Sequence, residues 1–291
     1  MVTDDPAGEE PGTAGAGPSN PQQLIITLFG LYGRAHGGAL PVAALVRLMT
    51  DLGVDAPATR SSVSRLKKRG VLHSVKVGGL NGYAIAPELE ETFREGDERI
   101  FHQRRAGLSD RWLLAVFTVP ETQRHVRHRI RSGLIRMGFG SVAPGVWIGP
   151  EHLREAVDSY MGRHELSPYV DYFLGEHIGT QQTAAAVREW WDLPALEQLY
   201  AQFAEHCSPV SARWTEARAG GAADPELPRQ AFADYVPLVT EWRRLPYLDP
   251  GLPLELLPPQ WRGLVAERLF AELDGLLRQP AAAHVAAVTG G

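Results

Sequence analysis

Between Asp55 and Tyr83 the chain reads DAPATRSSVSRLKKRGVLHSVKVGGLNGY, and these residue types suit contact with a polyanion. Asp55 can cap a helix, and Pro57 falls in a first turn, where a missing N–H costs nothing. Gly70 supplies the left-handed residue that ends the helix. At 100° per residue, Thr59, Val63, Leu66 and Gly70 share one side. Arg60, Ser61, Ser64, Arg65 and Lys68 share the other, with Lys67 and Arg69 on its edges. Small hydroxyls let a helix approach closely, while Arg and Lys reach phosphates and guanine edges. The bland alternative is a solvated basic helix. A second cationic set lies at Arg124, Arg127 and Arg131, spaced i, i+3 and i+7 on a predicted helix, Glu121–Met137. His128 stands beside them, with Arg129 and Arg136 at the margins. Guanidinium groups in such a row suit phosphates or carboxylates. They would equally suit salt bridges to the acidic C-terminal region.

Other chemistry is missing. No P-loop, G-x-G-x-x-G, H-E-x-x-H or nucleophile-elbow pattern occurs. The ten histidines are scattered, and His125 with His128 has no carboxylate or cysteine to complete a metal set. Neither a catalytic residue nor a metal ligand is expected. The single cysteine, Cys207, rules out a disulfide framework and fits a reducing cytoplasm. No apolar run approaches the roughly 20 residues of a membrane span, and no signal peptide is expected.

Charge is unevenly spread along the 291 residues, whose net charge is −5. Residues 1–20 carry four acids and no cation. Residues 21–87 carry eight Lys and Arg, including every lysine of the chain, against Asp51 and Asp55 alone. A basic module on an acidic body is the footprint of a nucleic-acid binder.

The elements that position these residues follow from the punctuation. Residues 1–20 are Pro, Gly, Ala and acid and read as a disordered tail. Pro21–Tyr32 predicts a helix with Leu24, Ile25, Leu28, Phe29 and Leu31 inward; Pro41–Leu52 predicts another, with Leu45, Leu48, Met49 and Leu52 inward. With the Asp55 helix and two strands, Leu72–Lys76 and Gly82–Ile85, joined through Gly78-Gly79-Leu80-Asn81, residues 21–87 have the order of a winged helix-turn-helix. Arg60, Ser61, Ser64, Arg65, Lys67, Lys68 and, on the wing, Lys76 are then the candidate contacts to double-stranded DNA. Residues 88–110 predict a connecting helix. Residues 111–178 read strand, helix, hairpin, helix, strand, the βαββαβ plan of a ferredoxin-like domain. Residues 179–279 read as helices: Thr183–Trp191, Pro194–Glu205, Pro228–Leu245 and Pro258–Arg278. Trp190 with Trp191, and Trp242 with Trp261, suggest well-packed core pairs, and residues 280–291 a loose tail. The fold class expected is α+β: a winged helix-turn-helix, a ferredoxin-like domain and a helical C-terminal domain.

Three phrases carry a resemblance: TRSSVSRLKKRGVL with GYAIAPE, RWLLAVFTVPETQRHVRHRIRSGLIRMGFGSVAPGVWIGP, and EWRRLPYLDPGLPLELLPPQWRGLVAERLF. From about Gln22 to Leu277 the chain resembles the PaaX-type repressors of phenylacetate catabolism. The resemblance implies a dimeric repressor that leaves its DNA operator on binding an aryl-CoA thioester such as phenylacetyl-CoA. It places Arg60, Ser64, Arg65 and Lys68 in a recognition helix and Arg124, Arg127 and Arg131 in the arginine helix offered to the effector. Family wings often carry arginines near their turn, whereas here Lys76 is the only nearby cation. Two other classes remain open: a metal-dependent nuclease on the ferredoxin-like domain, although Asp110 lies at the start of its first strand and not the end, and a protein-interaction scaffold.

Overall fold

The computed structural model describes residues 20–34, 38–178, 182–219 and 224–290, so the disordered tail expected over residues 1–20 lies outside it except for Asn20. Helices and two small antiparallel sheets make an α+β protein. Two compact units divide the chain: Met1–Asp97 with His206–Trp242 and Arg268–Gly291, and Glu98–Glu205 with Arg243–Glu267. Among the described residues no helix is long and apolar enough to cross a membrane.

In the first unit, Asn20 accepts the N–H of Gln22 at 3.0 Å and Pro21 opens α1 (Pro21–Leu28). The next turn, Phe29–Gly33, is π-helical. The wider turn breaks the 100° count. Leu31, expected inward, is therefore half-buried, and Tyr32 takes the core position at 5% exposure. A short strand, β1 (Ala39–Pro41), precedes α2 (Val42–Asp51) and α3 (Ala56–Lys68). Three residues carry no readable period, and β1 was not expected. It pairs with β3 (Leu80–Ile85), which pairs with β2 (Leu72–Val77), giving the order β1-β3-β2. The β2–β3 turn is two residues long, shorter than the four expected. Gly78 and Gly79 have φ of 56° and 83°. Two consecutive positive φ values make the tight turn that matches strand twist, and both positions favour glycine.

Leu24, Ile25, Leu28, Leu45, Leu48, Met49, Val63 and Leu66 form this unit's core beneath α1–α3. Helix α9 (Leu227–Trp242) packs on α1, and the buried Thr240 hydroxyl donates to Thr27 Oγ1 at 2.8 Å. The tail expected to be loose after Pro280 is instead helical: α11 runs from Arg262 to Thr289 with Pro280 inside it. Leu273, Leu277, Ala281 and Val285 recur every fourth residue and are all fully buried. That apolar stripe carries the helix past the proline. Helix α8 (Leu193–Ala219) likewise continues beyond the expected end at Glu205.

In the second unit, β4 (Trp112–Phe117), α5 (Arg124–Arg136), β5 (Gly140–Ala143), β6 (Val146–Pro150), α6 (Arg154–Arg163) and β7 (Val170–Gly175) follow in that order. The four strands line up β5-β6-β4-β7, antiparallel at every pair. Leu113, Ala115 and Phe117 of β4 meet Val126, Ile130 and Leu134 of α5 and Val157 and Met161 of α6 in one core. On β4, Trp112 meets Trp190 and Trp191, each at 6.1 Å between ring centroids. Trp190 is the last residue of α7 (Thr183–Trp190) and Trp191 caps it, and Trp191 Nε1–H donates to the Gly138 carbonyl at 2.8 Å. Trp242 and Trp261 do not pair. Trp242 stacks on Phe270 at 4.5 Å, whereas Trp261 meets Tyr200 edge-on at 6.0 Å. Closeness in sequence counted for less than the partners that helix faces supply.

Candidate nucleic-acid interface

Helix α3 is built by its ends. Asp55 Oδ1 accepts the Ala58 N–H at 2.7 Å, and the Asp55 carbonyl accepts the Thr59 hydroxyl at 2.9 Å. At the other end Gly70 turns the chain at φ 74°, so that the Val71 N–H reaches the Leu66 carbonyl at 2.9 Å. Thr59, Ser62, Val63 and Leu66 are buried. Gly70, expected on that side, is exposed, because the helical count stops at Lys68.

Arg60, Ser61, Ser64, Arg65, Lys67 and Lys68 are all exposed, and so is Lys76 on β2. The seven candidates are not equivalent. Lys67 Nζ donates to Ser74 Oγ at 2.8 Å and lies 5.7 Å from the centroid of the Tyr83 ring, which ties it to the sheet. Lys76 Nζ donates to Asn81 Oδ1 at 2.8 Å across the β2–β3 ladder. The two acids of this segment are already engaged, Asp55 as the cap and Asp51 with His284 Nε2 at 2.8 Å. Among the described residues no acid pairs with Arg60, Arg65 or Lys68. These three cations, interleaved with Ser61 and Ser64, present donors only; anionic oxygen is what they suit.

The arginines of α5 are arranged otherwise. Arg124 Nε donates to Glu121 Oε1 at 2.7 Å, and Arg127 donates to Glu121 Oε2 at 3.1 Å and to the Val119 carbonyl at 2.9 Å. Hydrogen bonds from Arg124 and then Arg127 hold the Glu121 carboxyl below the usual range. Arg131 is exposed. The salt bridge thus forms with a local carboxylate and not with the acidic C-terminal region.

A polar centre in the second unit lies around Asp249, in the segment Asp249-Pro250-Gly251, and is marked by no catalytic or binding motif of the sequence. Asp249 is 4% exposed. Its Oδ2 accepts from the Tyr200 hydroxyl at 2.8 Å and from Arg105 at 3.2 Å, while Oδ1 accepts the Gly251 N–H at 2.7 Å. Arg105 also pairs with Glu267. Burial raises the Glu267 carboxyl and pushes the Tyr200 hydroxyl well up, Asp249 adding to both. Asp two residues before Gly was the available signal, since an Asp carboxylate readily caps the backbone N–H two residues on. Among the described residues, no three or more His, Cys, Asp or Glu side chains come together to hold a metal ion.

Comparison with known proteins covers most of the chain. Residues 20–89 match the model of PaaX-like proteins, 105–187 that of the PaaX central Cas2-like domain, and 191–287 that of the PaaX-like C-terminal domain. The transcriptional repressor PaaX of Escherichia coli K12 is 26% identical over 255 residues, 87% of this chain and 78% of the relative. An uncharacterized protein from Mycobacterium tuberculosis superposes with a TM-score of 0.56 at 20% identity, over 91% of this chain and 97% of that one. At that identity the likeness speaks to fold alone. Three consecutive family matches that together span most of the chain, with a relative matched over 87% of it, place this chain in the PaaX family.

Proposed function

We propose that the chain is a transcriptional repressor that binds double-stranded DNA through α3 and the β2–β3 hairpin. The observation that carries the reading is the exposed Arg60-Ser61-Ser64-Arg65-Lys68 face, with no acid set against its cations among the described residues. The order of α1, α2, α3 and the hairpin supports a winged helix-turn-helix, whose third helix enters the major groove. The sheet order β5-β6-β4-β7, with α5 and α6 on one face, supports a ferredoxin-like middle segment. The name of the Escherichia coli relative supports repression. On this reading the protein acts in the cytoplasm as a homodimer, its two recognition helices one DNA turn, ~34 Å, or a multiple apart. An aryl-CoA thioester is the proposed effector. Arg131 is offered to its phosphates, with Arg124 and Arg127 joining once their bonds to Glu121 are exchanged.

Binding to the DNA upstream of the chain's own gene, followed by gel shift across salt concentrations, tests this. Arg65→Ala should cost ~1–3 kcal/mol and relax preference at one base pair if Arg65 reads a guanine. Lys68→Ala should weaken all sequences together and lower the salt slope by about one if Lys68 touches phosphate. Adding phenylacetyl-CoA to the preformed complex should release the DNA. Unchanged affinity in both variants, with intact circular dichroism, refutes the helix assignment.

A further inference from the structure

Residues 1–19 carry Asp4, Asp5, Glu9 and Glu10 and no cationic side chain, and the DNA reading makes no use of them. The family matches begin after them, at residue 20. The opposite charge lies on α3. Arg60, Arg65 and Lys68 are exposed, and among the described residues no acid stands against any of the three. The two acids near them are engaged elsewhere, Asp55 as the helix cap and Asp51 with His284. This face is therefore cationic without a neutralising neighbour, and carboxylate oxygens match its donors.

The acidic segment is tethered within reach of that face. It joins the chain at Asn20, the cap of α1, and α1 packs on α3 in the same unit. The ten residues from Glu10 to Asn20 can span up to ~35 Å. Helix α3, with thirteen residues, is only ~20 Å long. The tether keeps the four carboxylates at a local concentration on the order of millimolar. One exposed ion pair is worth little and is screened by salt, but several on one tethered segment act together.

We infer that residues 1–19 dock on the Arg60-Arg65-Lys68 face of α3 and compete there with DNA. The docking rests on the charges and the tether; the competition rests on the DNA reading above. Every duplex that uses this face must displace the same segment, so operator and unrelated DNA are weakened by the same factor. High salt loosens the docked segment as well as the DNA, which makes the measured salt dependence shallower than the phosphate contacts alone would give.

The test is carbodiimide coupling of the full chain at low salt, which joins a carboxyl to an amine in contact with it. The chain has three lysines, Lys67, Lys68 and Lys76, and its tryptic peptide Met1–Arg34 holds no acids but these four. Mass spectrometry should find that peptide joined mainly to Lys68, since Lys67 and Lys76 donate to Ser74 and Asn81. High salt should abolish the link. The full-length variant Asp4→Asn/Asp5→Asn/Glu9→Gln/Glu10→Gln should bind both its own upstream DNA and an unrelated duplex roughly three- to ten-fold more tightly than the parent at low salt, the two proteins converging as salt rises. Absent coupling overturns the docking, and so does equal coupling to all three lysines, which marks random collision. Equal DNA affinity of parent and variant at low salt overturns the competition. Coupling at Lys68 in a chain that shifts no DNA upholds the docking and counts against the DNA reading alone.

Discussion

Asp249→Ala should destabilise the second unit more than any surface change, and its size follows from the carboxylate's partners. The substitution takes the acceptor from the Tyr200 hydroxyl, strips the Gly251 N–H of its cap and leaves Arg105 with Glu267 as its remaining carboxylate. Each buried donor left unsatisfied costs about 1–3 kcal/mol. Breaking a buried ion pair outright costs about 3–5 kcal/mol, and here Glu267 retains part of the compensation. A total of about 4 kcal/mol is expected. With a urea dependence of about 2 kcal/mol per molar, the midpoint should fall by roughly 2 M. Tryptophan fluorescence reports the site, because Trp261 lies 6.0 Å from Tyr200. Tyr200→Phe alone should cost less, about 1 kcal/mol, since Arg105 and Gly251 still hold the carboxylate. In the double variant the two losses should overlap by about 1 kcal/mol. A midpoint shift under about 0.5 M for Asp249→Ala, or strictly additive losses, would show that the cluster is solvated and the reasoning wrong.

Gly251→Ala should be comparably harmful: φ is 67°, and an added Cβ would come within 2.2 Å of the Arg104 carbonyl oxygen, a backbone atom that cannot swing aside. The left-handed penalty and the clash together suggest about 2–5 kcal/mol by urea unfolding. His152 supplies a pH dependence. Burial, then Arg104 and Arg99, pushes its imidazole down to about 4 against an ordinary 6.5, with Asp110 and Asp249 opposing. The unfolded chain therefore binds the extra proton first, so stability is full above pH ~6.5 and falls as pH drops towards 4. The shift alone would be worth about 3 kcal/mol, and half-burial with solvent screening reduces it to about 1–2 kcal/mol. Urea midpoints measured from pH 7 to 4 should decline less in His152→Asn than in the parent, and equal slopes would refute the assignment.

The parts legible in the sequence were those whose signals are local. Asp55, Pro57 and Gly70 bracket α3 within a few residues of its ends, and the positive-φ pair Gly78-Gly79 marks the hairpin turn. The π-helical turn at Phe29–Gly33 has no comparable marker, so Leu31 and Tyr32 exchanged places. The helix past Pro280 was hidden by one breaker, although Leu273, Leu277, Ala281 and Val285 kept their four-residue step. Asp249 was illegible for another reason. Its partners Tyr200 and Arg105 lie 49 and 144 residues away, and no periodicity connects them.

The candidate site divides along the same line. Helical period assigns a residue to a face, but it cannot say whether that face's charges are already spent. Glu121 stands three residues before Arg124, a spacing at which helical side chains meet, and it engages Arg127 as well. That pairing takes up two of the three arginines offered to an effector. Near α3 the acids are its cap, Asp55, and Asp51 at the end of α2, which pairs with a histidine, so Arg60, Arg65 and Lys68 keep their donors for an outside acceptor. Lys67 does not, being committed to Ser74 and the Tyr83 ring. Its side chain joins α3 to the β2–β3 hairpin, and the angle between helix and hairpin, more than one further free cation, is what that lysine contributes.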